Sequence, residues 1–439
     1  MAYLDKNDNV KDFNGQEALN HLSYFIQCQS VSYPDTSKVN LNEFKKIHEG
    51  MFKFYPHILK EFSYEIISGG SILWHYTCPQ AKELPILLMA HLDVVPVDQG
   101  SLNEWVAGPF EGKIVESKLY GRGAWDIKNL MCAEMETIEY LLAHGYKPKR
   151  DIYLAYGQDE ETLGGLGHEA IAQLLYDRGV RCAFVMDEGG GFEGCDKFNT
   201  TCDVATISLQ EKGYLDIIVE AFSEGGHSSN PGNGTTLESV SKAISQICAS
   251  PFNEGMPHIT KMMLEALKPY QKGPLNANTL KLYQGTTKAP TMLEGASATP
   301  NVLPKHIKAT INCRLSPLDT PDDIIAIVQE RTQGLDVVIS KGTHIEASLE
   351  SNYANKECQL LVQHIHNHFK DVAVIPQMTI AGTDARFYEK ICDCCCRFAP
   401  FRNDPKEAMG MHTVNEHIGC DTFIDGINFL IDFVKELAF

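Results

Sequence analysis

Residues Pro85–Val95 read PILLMAHLDVV. The run is apolar until it closes on His91 and Asp93. A short continuous apolar run of this kind marks a strand buried on both faces, the kind found in parallel sheets covered by helices. Two later stretches repeat it: Asp151–Tyr156 runs into Gln158-Asp159-Glu160-Glu161, and Cys182–Met186 runs into Asp187. Helical patterns separate them. Met131–His144 is amphipathic and closed by Gly145, and His168–Arg178 is stopped by Gly179. Upstream, residues 41–66 read as helix and then extended chain. Strand–helix alternation predicts an α/β domain, a mostly parallel sheet with helices on both faces. In such sheets chemistry collects beyond the carboxyl ends of the strands. All three strands end at acidic or histidine residues.

The pattern changes near residue 207. Gly213–Ala221 (GYLDIIVEA) alternates polar and apolar like a half-exposed strand. Thr235–Ala249 reads as a helix, Pro251–Pro274 as irregular chain with a short helical piece, and residues 279–286, 291–298 and 305–315 as strands. Thr320-Pro321 opens a further helix, with an N-cap followed by proline at the first position. Asp336–Ala347 is the last strand of this region. Two strand–helix units sharing one sheet predict an inserted α+β ferredoxin-like lid that dimerises through its open face or edge. After residue 350 the first pattern returns, with a helix over Lys356–Phe369, strands over Gln377–Ile380 and Cys395–Pro400, and a largely helical Val414–Leu437. The expected division is residues 1–207 and 350–439 in one domain and 208–349 in the lid.

The chain has 439 residues, 38 Lys plus Arg against 57 Asp plus Glu, and a formal net charge of −19. Phosphate binding needs a basic surface, so nucleic acid is excluded as a partner. No stretch has the apolar length needed to span a bilayer, and the N-terminal MAYLDKNDNVKDFNGQEALNHL lacks the basic start and apolar run of a secretory leader. The 14 cysteines are scattered except for Cys392, Cys394, Cys395 and Cys396. Without a leader they read as free thiols of a cytoplasmic protein. The cluster lacks a second Cys or His pair at zinc-finger spacing and reads as part of a buried strand.

Four loci carry acidic and imidazole chemistry. In His91-Leu92-Asp93, alternation places His91 and Asp93 on one side, where a carboxylate receives the second ring N–H of a metal-bound imidazole. In Gly121-Arg122-Gly123-Ala124-Trp125-Asp126, glycines allow a sharp turn before a helix whose start favours the Asp126 carboxylate. Asp159-Glu160-Glu161 sets carboxylates side by side, one to bind metal and one to take a proton from water. Asp187-Glu188-Gly189-Gly190 ends the third strand, and His412 precedes the last helix. Each locus alone reads more readily as an ordinary acidic turn, a helix-start carboxylate or a packed histidine. Together they converge on one crevice as a mixed nitrogen and oxygen set that suits zinc, with cobalt or manganese as substitutes, and five ligands with one bridging carboxylate suit two metals.

At this point the sequence resembles the co-catalytic zinc peptidases that include carboxypeptidase S, glutamate carboxypeptidase, aminoacylase and succinyl-diaminopimelate desuccinylase. Nine motifs run in family order: His91 to Pro96, Gly121 to Lys128, Asp159 to Glu161, Asp187 to Gly189, Gly226 to Ser229, Asn301 to Pro304, Cys313-Arg314, Gly382 to Arg386, and His412 to Glu416. The branch of carboxypeptidase S and the N-fatty-acyl amino acid hydrolases is the most similar, on Asp126 to Asn129, Asp187 to Gly190 and Trp105 to Tyr120.

The resemblance implies two zinc ions per subunit. It implies that His91 and Asp187 bind one ion, Glu161 and His412 the other, and that Asp126 bridges them. Some relatives use the second acid of the Asp187-Glu188 pair, so the choice between those two stays open. Glu160 would be the general base acting on a bridging hydroxide, and Asp93 would orient His91. His227 would stabilise the oxyanion, in a partner subunit's site of a homodimer. Asn301, Arg314 and Arg386 would bind substrate, with Gly382 and Thr383 shaping the pocket. Two departures stand out: the bulky Trp125 beside Asp126, and Thr413 where glycine is usual. The implied activity is cleavage of an amide bond next to a free carboxylate, as a carboxypeptidase or dipeptidase. The alternatives are an N-acyl-amino-acid amidohydrolase and, in another class, a metal-free binding protein on the same fold. A phosphoesterase would want more histidine and basic residues.

Overall fold

The computed structural model describes Val10 and residues 12–439, so part of the N-terminal stretch read above for a leader lies outside the described residues. The chain divides into two compact units, one of residues up to Leu209 with Ser351–Pro376 and Thr383–Phe439, the other of Gln210–Glu350 with Gln377–Gly382.

The first unit is built on a nine-stranded sheet. Its order is Ser63–Ile67, Ser71–Tyr76, Ile152–Gly157, Ile86–His91, Phe184–Asp187, Cys395–Arg397, Val204–Glu211 and Ala373–Thr379, with Gly191–Glu193 paired to Val204–Glu211. The four central strands run parallel. The flanks at Ser71–Tyr76 and Val204–Glu211 are antiparallel. The three strands read from apolar runs are buried at every position, as strands with helices on both faces must be. The α/β class therefore holds. Parallel register sets His91 beside Gly157 and Arg397 beside Asp187, so the carboxyl ends of neighbouring strands share one edge.

Helix Lys128–Ala143 departs from expectation. It starts three residues early and is buried at every position from Lys128 to Ile138 rather than amphipathic, because it packs against the sheet as well as helices Gly15–Gln27 and Cys420–Ala438. Gly145, at φ 80°, supplies the left-handed residue that ends it. The expected C-terminal helix opens instead with strand His417–Gly419, which pairs with Lys118–Tyr120, and only then becomes helix Cys420–Ala438. Among the described residues no helix is long and apolar enough to cross a membrane.

The second unit holds a four-stranded antiparallel sheet ordered Thr287–Glu294, His306–Leu315, Gly213–Phe222, Val338–Ile345. Numbered by sequence the order is 2-3-1-4, with helices Thr236–Cys248 and Pro321–Arg331 in the crossovers; this is the ferredoxin-like arrangement. Gly213–Phe222 alternates buried and half-buried along its length. Leu215, Ile217 and Val219 pack with Val240, Ala243, Ile247, Ile324 and Val328 of the two helices. Thr320 forms a full capping box with Asp323, with Pro321 next. Residues 279–286 are not a strand: Ala277–Gln284 is a helix, capped by Asn276 accepting from the Asn278 N–H. Leu280 and Leu282 stand at strand-like spacing, yet Leu282 is exposed and Tyr283 is the buried anchor, with its carbonyl accepting from Thr260 Oγ1 at 2.5 Å. The strand itself begins at Thr287.

Candidate active site

The strand ends of the first unit present the acidic and histidine residues to one another. His91, the last residue of its strand, is 2% exposed. Its Nε2 lies 3.1 Å from Asp126 Oδ1 and 3.4 Å from Glu188 Oε1. Its Nδ1 lies 2.9 Å from the main-chain oxygen of Asp93 and 3.4 Å from that residue's carboxylate. The main chain of Asp93 is thus the nearer partner. The Asp93 carboxylate does further work: it accepts from Ser32 Oγ at 2.6 Å and from the backbone N–H groups of Glu160 and Glu161 at 3.1 and 3.2 Å. One buried carboxylate therefore ties the His91 strand end to the Glu160–Thr162 turn.

Asp126 sits two residues before its helix and its peptide bond to Ile127 is cis. The turn leading to it passes Gly123 at φ 89°, a conformation that side chains disfavour. Asp126 presents Oδ1 to His91 and Oδ2 to His412 Nε2, the latter at 2.9 Å. His412, in the left-handed region at φ 57°, is also 3.1 Å from Glu161 Oε2. His91, Asp126 and Glu161 bring one ligand atom each within 4.8 Å of one another, and so do His91, Glu160 and Glu188.

The electrostatics follow from packing charge in a dry place. Burial pushes His91 down, but hydrogen bonds to Asp126, Asp93 and Glu188 outweigh it and hold the ring well above its ordinary range. Hydrogen bonds to Asp126 and Glu161 push His412 up to about 10. Burial raises Glu160 and Glu188, and neighbouring carboxylates add to it, taking Glu188 to about 8. So many carboxylates gathered around buried His91 and the more exposed His412 call for added positive charge. The donor set, all nitrogen and oxygen with one carboxylate facing both histidines, fits a pair of divalent metal ions.

Asp187 is placed differently from its neighbour. Its Oδ2 accepts the Ala385 N–H at 2.9 Å, and the group with His91 and Glu160 contains Glu188. Thr383 precedes the Asp384–Lys390 turn and Arg386 lies on it, half-buried. Asp384 is buried and burial raises its pKa well above the usual carboxylate range.

The remaining substrate-side residues belong to the second unit. Strand Gly226–His227 pairs with Val302–Leu303, and the Asn301 carbonyl accepts from the Ser228 N–H at 3.0 Å, so His227 and Asn301 are neighbours. His227 Nδ1 accepts the Ser229 N–H at 3.2 Å, which leaves Nε2 to carry the proton. Arg314 lies on strand His306–Leu315 with its guanidinium 5.1 Å from the Tyr214 ring centroid. Gly382 is the last residue of this unit.

The role of Glu416 escaped sequence reasoning. Glu416, wholly buried, accepts from Gly123, Trp125 and Asp126 N–H groups at 2.9, 2.9 and 3.1 Å and from Arg122 at 2.5 Å. It lies within a quoted motif, yet only packing reveals what it holds. The Trp125 backbone serves the same carboxylate. Thr413 fits its loop by donating its N–H to the Gly410 carbonyl and accepting from Arg122.

The profile of peptidase family M20/M25/M40 matches residues 87–436. The N-fatty-acyl-amino acid synthase/hydrolase PM20D1 of Mus musculus is 30% identical over 443 residues, covering 93% of this chain and 85% of its own. A probable carboxypeptidase S-like 2 of Dictyostelium discoideum is 28% identical, covering 98% and 87%. Among solved structures, the M20 family metallo-carboxypeptidase Sso-CP2 from Sulfolobus solfataricus has a TM-score of 0.74 at 19% identity, covering 95% and 98%. Human carnosine dipeptidase 1 has a TM-score of 0.68 at 16% identity, covering 97% of each chain.

Proposed function

The chain belongs to peptidase family M20/M25/M40, a family of metallopeptidases and amidohydrolases, and on that premise we propose that it is a two-zinc hydrolase cleaving an amide bond next to a free carboxylate. The observation that carries this reading is Asp126, whose two oxygens face His91 and His412 separately. On this reading His91 and Glu188 would hold one zinc ion and Glu161 and His412 the other, with Asp126, which faces both histidines, shared between them. Glu188 takes the place given above to Asp187, whose carboxylate is engaged by the Ala385 N–H. Bound zinc would acidify water and polarise the scissile carbonyl.

The chain's own residues do the rest. Glu160 takes a proton from the attacking water and delivers it to the leaving nitrogen. Asp93 holds both His91 and the Glu160 turn in place. His227, with Nε2–H available, donates to the developing oxyanion. Substrate binding falls to Thr383 and Arg386 of the first unit and to Asn301, Arg314 and Gly382 of the second, the arginines being suited to a carboxylate through charge-assisted hydrogen bonds. The second unit serves as lid and homodimer interface, with His227 acting on the partner's site. Fourteen free cysteines suit a reducing cytoplasm.

The substrate is a small peptide on the broader reading. The similarity to an N-fatty-acyl-amino acid hydrolase supports a second one, N-acyl amino acids. One experiment separates them: hydrolysis of dipeptides and of N-acyl amino acids of rising chain length, by wild type and Glu160→Gln, after chelation and zinc restoration. Zinc-dependent cleavage lost in Glu160→Gln, by about 10²–10⁴-fold, is expected. Preference for long acyl chains would replace the peptidase reading, and no cleavage by zinc-loaded protein would end the hydrolase reading for both classes.

A further inference from the structure

Three cysteines with no part in the hydrolytic site meet at one point. Cys394 and Cys396 flank Cys395 at strand Cys395–Arg397. Period-two alternation turns both to one face of the sheet, and their sulfurs are 3.6 Å apart. Cys358, in the first turn of helix Lys356–His368, completes a group whose sulfurs all lie within 4.8 Å of one another. All three residues are 0% exposed.

The meeting is held by specific contacts. Asn355 caps the helix, its Oδ1 accepting from the Glu357 and Cys358 N–H groups at 2.9 and 3.1 Å. Its Nδ2 donates to the Ala183 carbonyl at 3.1 Å. Ala183 leads into strand Phe184–Asp187, whose Val185 and Met186 pair with Cys395 and Cys396. One side chain therefore ties Cys358 to the strand beside the other two thiols. The buried pair Arg150–Glu357, at 3.0 Å, anchors the same turn.

We propose that Cys358, Cys394 and Cys396 form a three-sulfur binding site for one monovalent copper ion. Metal–sulfur bonds of about 2.3 Å put three planar ligands about 4 Å apart. That spacing falls between the 3.6 Å of the closest pair and the 4.8 Å bound on all three. Soft thiolates select monovalent copper or zinc, and structural zinc requires a fourth ligand. Among the described residues the group contains no fourth Cys, His, Asp or Glu, and burial shuts out bulk water. The ion-free group is poised for exchange. Hydrogen bonds from Cys394 and Cys396 hold the Cys358 thiol down, while the contact with Cys358 pushes Cys394 up, and burial with the contacts to Cys358 and Cys394 pushes Cys396 up. Binding releases the thiol protons to solvent as three Cu–S bonds form.

The test uses the full-length, zinc-loaded, reduced protein, titrated anaerobically with monovalent copper against bathocuproine disulfonate. The expected result is one tightly held ion per chain whose X-ray absorption shows three sulfurs and no nitrogen or oxygen. Cys358→Ser and Cys396→Ser lose that ion, whereas Cys195→Ser, a substitution outside the group, keeps it. Copper uptake unchanged in the two variants would overturn the site. So would mixed sulfur and nitrogen ligation in the wild type, a measurement that needs no variant to fold. Sulfur-ligated zinc taken up in preference to copper would overturn the choice of ion.

Discussion

Three backbone N–H groups, of Gly123, Trp125 and Asp126, converge on one oxygen of Glu416, and the Arg122 guanidinium holds the other. The loop that carries Asp126 and the loop that carries His412 are thereby fastened to one carboxylate. Glu416→Gln removes the charge facing buried Arg122, a change of the kind that costs about 3–5 kcal/mol. We expect a lower melting temperature and, because Asp126 loses its support, metal affinity reduced by about 10–100-fold. Chelator competition measures the second effect, and unchanged affinity in a folded variant would remove Glu416 from the positioning role. Asp187 and Glu188 separate in the same spirit. On the proposed ligand set, Glu188→Gln is expected to lower the metal count from two to one per chain, and Asp187→Asn to leave it unchanged while loosening the Ala385 turn. Elemental analysis decides, and the reverse pattern would return the ligand role to Asp187. Adjacent acids look alike in a sequence. What distinguishes them is which one the chain satisfies with a backbone N–H.

The helix His168–Asp177 makes a prediction of its own through its first residue. His168 is buried between two strand ends, with Nε2 3.1 Å from the Gly157 N–H and 3.0 Å from the Ala90 carbonyl, and Nδ1 2.7 Å from Tyr388 Oη. Burial pushes its pKa down from 6.5 to about 4. The unfolded chain therefore binds a proton near pH 6.5 that the folded ring refuses. Above that pH the ring costs nothing. Below it, stability falls by about 1.4 kcal/mol per pH unit, and the loss levels off below about pH 4, where the folded ring also protonates. Urea unfolding at pH 7 and pH 4.5 is expected to show a smaller difference for His168→Gln than for wild type, and equal differences would assign the acid sensitivity to other groups. The capping box at Thr320 gives a simpler test, since Thr320→Ala is expected to cost about 1 kcal/mol. The Thr320 N-cap with Pro321, and the glycines Gly145 and Gly179 that end two other helices, were readable as local chemistry. The helix Ala277–Gln284 was not, because Leu280 and Leu282 mimic strand alternation and only the anchoring of Tyr283 favours the helix.

The chain as a whole is expected to work as a dimer. The strand Thr287–Glu294 lies at the edge of its sheet with Met292 and Leu293 more than half exposed, and an edge of this kind invites pairing with another chain. Met292→Lys with Leu293→Glu is expected to shift the sedimentation coefficient to that of a monomer and to lower hydrolysis, since His227 would then lack a partner's site. Full activity in a monomeric variant would confine His227 to its own subunit.

Much followed from the sequence alone. Continuous apolar runs ending in acids and histidines dictated the buried parallel strands and the edge where chemistry gathers, because a strand buried on both faces has no other composition available. Motif order then carried the family and most of the proposed site. Tertiary structure decided what depends on residues far apart in the chain: the bond from the Ala385 N–H to Asp187 that sets it apart from Glu188, the double duty of Asp93, the clasp at Glu416, and the meeting of Cys358 with Cys394 and Cys396. The cysteine cluster read as a plain buried strand because its third member is carried by a separate helix, placed by a cap on Asn355 and a bond to Ala183. Local patterning has no access to such contacts. They exist only once distant segments have paid their ordering entropy and packed.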